Sequence, residues 1–227
     1  MNEKQNNKVY LRGTVVTEKR FSHEVYGEGF YEMDVSVKRL SGQEDVLPIT
    51  VSERLIEKEG LTVGSTLSAI GQFRSCNKPV DGKSKLMLTV FVREIVAEDF
   101  SPNPNNIVLT GYICKTPTYR TTPFNREICD LLIAVNRAYN KSDYIPCIAW
   151  GRNARFVRNL SVGEKIALAG RIQSREYQKR TEDDVKTLTA YEVSVSKIAA
   201  SENADSFDVD YGFKYKEDYS PYLQDIV

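Results

Sequence analysis

The fold of this chain is decided by the stretch LLIAVNRAYNKSDYIPCIAWGRNARFVRNLSVGEKIALAGRIQSREY, residues 131–177. Segments 128–136, 144–150 and 165–175 are rich in Val, Ile, Leu and Tyr and are bounded by turn residues, which predicts three strands. Between the second and third, Asn153 precedes the run ARFVRNL, which ends before a glycine. This spacing predicts a short helix with Asn153 as its N-cap.

The same pattern occurs once before in the chain. Gly13 in VYLRGTVV corresponds to Gly111 in IVLTGYIC, and Arg39 corresponds to Arg137, both at an offset of 98 residues. Further on, LTVGSTLSAIGQF matches LSVGEKIALAGRI at an offset of 99. Single-residue insertions in the loops between two copies of one fold produce such a drifting offset. The chain is therefore predicted to contain an internal repeat.

Each copy is predicted to contain five strands and one helix. In the first copy, Ser52 is expected to cap the helix ERLIEKE, which ends before Gly60. Five strands with a helix between the third and fourth are typical of an OB-fold. An SH3-like barrel lacks this helix, and an immunoglobulin-like sandwich has about seven strands. The predicted fold class is all-β: two tandem five-stranded OB-fold barrels, each with a short helix between strands 3 and 4, plus an acidic flexible C-terminal tail.

Charge and composition divide the chain into parts. Residues 1–100 contain 14 Lys+Arg and 15 Asp+Glu (net −1), residues 101–200 contain 15 and 9 (net +6), and residues 201–227 contain 2 and 7 (net −5). The segment SPNPNN, 101–106, has two prolines and no apolar run, which predicts a linker. We expect one OB-fold domain over 1–100, a second over 107–200, and an acidic tail over 201–227. A basic domain favours polyanionic partners.

The sequence argues against a membrane protein, a secreted protein, a zinc protein and an enzyme. No run of about 18 apolar residues is present, and the N-terminus lacks the apolar core of a secretory signal, so we expect a cytoplasmic protein. The four cysteines form no CxxC pair and His23 is the one histidine, which argues against a zinc site and a His-based catalytic triad. We expect Cys76, Cys114, Cys129 and Cys147 to be reduced thiols in or near strands. No cofactor or metal is expected. We also expect no enzymatic activity, since carboxylates are not clustered at the strand ends as a nuclease needs.

Aromatic and basic residues are interleaved in the second copy. Tyr144 and Trp150 are six residues apart and so lie on the same face of the predicted strand. An aromatic ring stacks on any base, and such a stack stabilises a complex by about 1–3 kcal/mol. Arginines pair with phosphates or stack on bases; those nearby are Arg137, Arg152, Arg155, Arg171 and Arg175. This combination is typical of a sequence-tolerant nucleic-acid binder, although a tryptophan in a strand also serves core packing.

Residues 107–197 closely resemble the bacterial single-stranded DNA-binding protein family. The motifs are a strand ending in AVNR, the strand YIPCIAWG, the helix with ARFV and the segment AGRIQSREY. The resemblance implies that the chain binds single-stranded DNA by stacking bases on aromatic side chains in a basic groove. The implied stacking positions are Tyr139, Tyr144, Trp150 and Tyr177; three of these four are Tyr where relatives often have Trp. Residues 7–99 resemble the family only as a diverged copy.

The first copy differs at the stacking positions. At the 98-residue offset, Ser41, Val46 and Ser52 occupy three of the four, and the fourth falls near Asn77. We therefore expect the second copy to contribute more to DNA binding. The first copy has its own aromatic cluster, which either stacks on DNA by another route or closes one end of the barrel: Phe21, Tyr26, Phe30 and Tyr31.

The expected function is that of a non-enzymatic protein that binds and protects single-stranded DNA in replication, repair or recombination. It is expected to be nucleoid-associated and to show little sequence preference. The alternative is a protein–protein assembly adaptor with weak nucleic-acid binding, which the diverged first copy favours. Relatives commonly use four OB-folds, so the resemblance implies a homodimer. The acidic tail ends in YLQDIV, not in the Asp-rich tip ending in Pro-Phe that is usual in the family, so docking of replication or repair proteins there is only weakly supported.

Overall fold

The chain folds into two successive sets of strands, each with one short helix. The structure, a computed structural model, describes residues 6–80, 82–96, 103–138, 140–180 and 185–200. The first set comprises β1 (Asn7–Val15), β2 (Arg20–Val25), β3 (Glu28–Lys38), β4 (Glu44–Ser52), α1 (Glu53–Glu59), β5 (Thr66–Val80) and β6 (Lys83–Val96). The second comprises β7 (Asn105–Ile113), β8 (Thr118–Thr121), β9 (Glu127–Asn136), β10 (Ser142–Trp150), α2 (Gly151–Val157), β11 (Lys165–Arg180) and β12 (Val185–Ala200).

Five strands of each set close into a barrel. β1 pairs with β3 and β5, while β4 pairs with β3 and, in parallel, with β6; β5 and β6 complete the ring. β7, β9, β10, β12 and β11 form the same ring in the second set. Each helix follows the third strand of its ring, so the prediction of two tandem OB-fold barrels is confirmed. The structure adds one short strand to each prediction: β2 and β8 extend β3 and β9 as hairpin arms.

The glycines that reveal the repeat lie where the strands bend and approach closely. A Cβ atom at Gly111 would lie 2.4 Å from the carbonyl oxygen of Ala134, and one at Gly170 would lie 2.1 Å from that of Ser194. No side chain fits at those distances. Gly170 also marks a register shift between β11 and β12, where a bulge bends the strand. Because both barrels bend in this way, glycine recurs at the same positions in both copies.

The two helices begin differently, although they follow equivalent strands. Ser52 caps α1 as predicted, its Oγ accepting a hydrogen bond from a first-turn N–H at 3.4 Å. The prediction that Asn153 caps the second helix is wrong: the N-cap of α2 is Trp150, and no side chain in the described region caps it. Gly151, with φ of 50°, turns the chain directly from β10 into α2. Asn153 therefore lies inside the helix, where its Nδ2 donates to the carbonyl oxygen of Ser196 at 3.1 Å.

The two barrels join edge to edge through β1 and β7, a pairing that we call the seam. The strands are antiparallel, with Asn7 opposite Leu109 and Val9 opposite Ile107 at the centre. Val9 and Ile107 are both fully buried and are 98 residues apart, so they occupy equivalent positions in the two copies. The seam is therefore pseudo-twofold symmetric, and it makes all the described strands one 12-stranded sheet.

The seam begins inside the segment predicted as a linker. β7 starts at Asn105, so the prediction for 101–106 is wrong at its last two positions. The Asn105 Nδ2 donates to the carbonyl oxygen of Ile172 at 2.7 Å, and its Oδ1 accepts the N–H of the same residue at 2.9 Å. Asn7 makes the same pair of bonds with Phe73. These short polar side chains resemble a loop in sequence but bond a neighbouring strand in the fold.

The four cysteines differ in burial. Cys129 and Cys147 are buried in strands as expected, and burial raises the pKa of the Cys129 thiol to about 11. Cys114 is half-buried and Cys76 is exposed. No helix in the described ranges is long and apolar enough to cross a membrane. The predicted acidic tail, 201–227, lies outside the described residues.

Candidate nucleic-acid interface

An open groove of about 670 Å³ lies on the second barrel. Its walls come from the β8–β9 hairpin, from β10, β11 and β12, and from the loop after β3 of the first barrel. Among the described lining residues, Glu192 is the single carboxylate, and five are arginines: Arg39, Arg120, Arg126, Arg171 and Arg175. Arginines outnumber carboxylates in this lining, so the groove offers a positive surface to an anionic chain.

Trp150 supplies the flat apolar surface in this groove. It is the last residue of β10, 37% exposed, and its indole Nε1 donates to the Oγ of Ser194 at 3.3 Å. Ile148, two residues earlier in β10, also lines the groove. A tryptophan with its N–H satisfied and over a third of its surface in solvent is able to stack on a planar partner.

Three of the five groove arginines, Arg39, Arg120 and Arg175, are paired with carboxylates, whereas Arg171 has an amide partner. The Arg171 Nη2 donates to the Gln173 side-chain oxygen at 3.2 Å, and burial, with Arg39 close by, lowers the pKa of Arg171. The Arg175 Nε lies 3.6 Å from a Glu192 oxygen, and its guanidinium lies 5.9 Å from the centre of the Tyr177 ring. Phosphate oxygens entering the groove would offset the repulsion between these cations.

One of the five arginines comes from the other barrel. Arg39 follows β3 and is held by Asp45, which is fully buried, through two bonds of 2.6 Å. The same Asp45 carboxylate accepts the backbone N–H of Ser174, in β11 of the second barrel, at 2.8 Å. The first barrel thus places a cation in the groove of the second, and the groove depends on both barrels.

The structure brings three of the nine predicted site residues together in the groove: Trp150, Arg171 and Arg175. Tyr144 lies on the same face of β10 as Trp150, as predicted, and is 46% exposed. Its backbone N–H donates to the Oγ of Ser75 at 2.7 Å, so Tyr144 lies beside the first barrel. Tyr177 lies under the Arg175 guanidinium and is 39% exposed.

Three further predicted residues, all arginines, lie outside the groove lining. The Arg137 Nε lies 3.6 Å from an Asp143 oxygen, and Asp143 accepts the backbone N–H of Ser75 at 2.7 Å, which mirrors Arg39 and Asp45. The Arg155 Nε lies 3.3 Å from a Glu127 oxygen at the start of β9. Arg152 is exposed on α2, and Tyr139 lies outside the described residues.

The first barrel has an equivalent groove, and its own side chains fill it. Only about 20 Å³ is open there. The strand pairing places Ser52 and Phe91 where the second barrel has Trp150 and Ser194. The Phe91 ring stacks on Phe30 at 5.6 Å, and the Arg74 guanidinium lies 3.8 Å from its centre. Burial, with Arg93 and Arg137 nearby, lowers the pKa of Arg74 to about 10.

Sequence reasoning missed three arginines of the second groove: Arg39, Arg120 and Arg126. Arg39 is the repeat counterpart of Arg137, which was the one signal for it. Arg120 and Arg126 flank the turn TTPFN, and a turn between two arginines is a recognisable signal. The side-chain oxygens of Asp130 accept hydrogen bonds from Arg120, which raise the pKa of that guanidinium.

Comparison with known proteins points to one family. The profile described as "Single-strand binding protein family" matches residues 104–200. Single-stranded DNA-binding protein 2 of Clostridium acetobutylicum is 30% identical over 126 residues, which cover 52% of this chain and 93% of that protein. Single-stranded DNA-binding protein 1 of Staphylococcus aureus is 37% identical over 83 residues, 34% of this chain. In that case the chain spans about half the length of its relative, 50%.

A solved structure has the same fold over most of the chain. The wild-type single-stranded DNA-binding protein from Thermus aquaticus matches with a TM-score of 0.65 and 20% identity. The match covers 86% of this chain and 92% of that chain. At this identity the likeness concerns the fold, and it extends to the first barrel, which the family profile does not reach.

Proposed function

The chain belongs to the single-strand binding protein family, and from this premise we propose that it binds single-stranded DNA in the groove of the second barrel. The observation that carries the proposal is the exposed Trp150 indole in a groove lined by five arginines. A base stacks on the indole while the arginines bind phosphates. The relatives named above are single-stranded DNA-binding proteins, which supports the same ligand.

The bound strand extends from the groove along the other predicted residues. Tyr177 and Arg175 extend the stacking surface on β11. Tyr144 and Arg137 contact the part of the DNA strand that lies nearer to the first barrel. Tyr139, Arg152 and Arg155 complete the proposed contacts. Because stacking and phosphate contacts read no base edges, binding shows little sequence preference and weakens with salt.

The biological role proposed is to coat and protect single-stranded DNA during replication, repair or recombination, without enzymatic activity. In this role residues 107–200 are the main DNA-binding domain and residues 1–100 the diverged one. Two copies of the chain form a dimer with four barrels. The net charge of −5 over 201–227 suits docking of replication or repair proteins in the cytoplasm, at the nucleoid.

The proposal is tested by Trp150→Ala with a labelled oligo-dT, followed by fluorescence anisotropy. We expect the affinity to fall by about 1–3 kcal/mol, since one base stack is lost. Phe156→Ala is the control: this residue is 45% exposed on α2 and does not line the groove as described. A folded Trp150→Ala protein that binds as tightly as the unchanged chain would rule out the groove as the binding site.

A further inference from the structure

Phe124 occupies the tip of the β8–β9 hairpin and is 87% exposed. The turn that presents it is well bonded: the Thr122 N–H donates to the carbonyl oxygen of Arg126 at 2.9 Å, and the Thr122 hydroxyl accepts the Arg126 N–H at 3.1 Å. Asn125 adopts a left-handed conformation, with φ of 57°, and its N–H donates to the Thr122 carbonyl oxygen. The phenyl ring is thus held in solvent by an ordered turn, where it contributes little to folding.

The residues around Phe124 belong to the DNA groove. Arg120, Thr122 and Arg126, all in this hairpin, line the groove that contains Trp150. Ile128 lies opposite Trp150 in the β9–β10 pairing, and Phe124 is four residues before it. Because four residues span at most about 14 Å even when fully extended, and this segment includes the turn, Phe124 lies within that distance of Ile128. A strand that stacks on Trp150 and is bound by Arg120 and Arg126 therefore passes close to the Phe124 ring.

The first barrel offers a comparison for this hairpin. Tyr26, 98 residues before Phe124, is also at a hairpin tip and is 89% exposed. At the 98-residue offset, Ser22 and Glu28 correspond to Arg120 and Arg126. By strand pairing His23, opposite Phe30, takes the place that Arg120 has opposite Ile128, and burial lowers the pKa of this imidazole. This hairpin therefore lacks both arginines. An exposed aromatic tip is common to the two barrels, but arginines that attract phosphate flank only the tip of the second.

We propose that Phe124 is a second base-stacking residue, which covers the strand bound in the groove from the hairpin side. The inference rests on the proposed function and names an added contact in the same site. The ligand is a base further along the strand from the one on Trp150. Arg120 and Arg126 bind the phosphates between the two bases, and the rigid turn requires little ordering when the ring stacks.

The first test compares Phe124→Ala with Tyr26→Ala in the full chain, with labelled oligo-dT. Both side chains are almost fully exposed, so both variants are expected to fold like the unchanged protein. Phe124→Ala should weaken binding by about fivefold or more, the effect of one lost stack. Tyr26→Ala should leave the affinity unchanged. Equal affinities of Phe124→Ala and the unchanged chain would overturn the inference and leave the Trp150 site in place.

The second test places a reporter at the hairpin tip. Trp150 is the one tryptophan of the chain, so Trp150→Phe combined with Phe124→Trp moves the fluorophore to position 124. We expect oligo-dT to quench this indole, and not the indole of Trp150→Phe combined with Tyr26→Trp. Binding by anisotropy without quenching at position 124 would overturn the inference alone. If the unchanged chain binds no oligo-dT, the proposed function fails and the inference falls with it.

Discussion

At the scale of single residues, the two grooves contain similar groups in exchanged places. Trp150 in β10 faces Ser194 in β12, whereas the first barrel has Ser52 and Phe91 at those positions. The aromatic ring lies on β10 in the second barrel, whereas in the first barrel it lies on β6, the counterpart of the neighbouring strand β12. In the second barrel the ring is open to the groove, and in the first it is covered by Arg74. The open groove and the filled groove thus differ in which of the two strands has the aromatic residue and which has the serine.

The electrostatic part of binding is tested at Arg171. Arg171→Ala removes one cation that we assign to a phosphate, so the slope of log affinity against log salt concentration should fall by about 0.7. Affinity for oligo-dT, measured by anisotropy at several salt concentrations, gives this slope. Arg20→Ala is the control, because Arg20 pairs with Asp34 in the first barrel, outside the second groove. An unchanged slope for Arg171→Ala would show that its guanidinium does not neutralise a phosphate.

The sequence predicted some groove residues and not others for a physical reason. Trp150, Arg171 and Arg175 lie in the strands that carry the family motifs, so their positions follow from the pattern. The sequence did not predict Phe91 as the aromatic of the first groove. At the repeat offset, the counterpart of Trp150 is Ser52, and Phe91 lies on a different strand. Arg39 belongs to the first barrel and enters the groove of the second because the two barrels pack together. No local sequence pattern around Arg39 indicates this position.

At the scale of elements, the seam is reinforced by two reciprocal bonds. Asp45 in β4 accepts the N–H of Ser174 in β11, and Asp143 in β10 accepts that of Ser75 in β5. These pairs are 129 and 68 residues apart in sequence. The sequence predicted strands, but no local pattern shows which strands of different barrels pair. The repeat nevertheless explains why the two bonds are symmetric.

The contribution of the seam is tested by Asp45→Ala. This change leaves Arg39 and the Ser174 N–H without their buried partner, so the free energy of unfolding should fall by about 3–5 kcal/mol. Urea denaturation measures the loss. Asp130→Ala is the control: its pair with Arg120 is exposed and should contribute about 1 kcal/mol or less. Equal losses in the two variants would show that the Asp45 bonds do not stabilise the seam.

At the scale of the whole molecule, the two barrels are alike in fold and unlike in surface. The open groove measures about 670 Å³ in the second barrel and about 20 Å³ in the first. The sequence charges, −1 over 1–100 and +6 over 101–200, differ in the same direction. Both observations support the prediction that the second barrel contributes more to DNA binding. The first barrel adds Arg39 to that groove, so the two act together.

The proposed dimer is a prediction for the intact chain. Family resemblance implies four barrels, and each chain supplies two, so light scattering at micromolar concentration should give twice the chain mass of 25.8 kDa. The seam already pairs β1 with β7 within the chain, so the contact between chains must use other surfaces. A mass of one chain at that concentration would contradict the prediction.

The central claim, that single-stranded DNA binds in the groove at Trp150, is tested most directly by intrinsic fluorescence. Trp150 is the single tryptophan, so titration of the full chain with oligo-dT at low and moderate salt reports on this one indole. We predict saturable quenching, with an affinity that falls steeply as salt rises, because stacking contacts the indole and phosphates replace counterions at the arginines. An oligo-dT that binds without changing the Trp150 fluorescence, or with an affinity independent of salt, would contradict the claim.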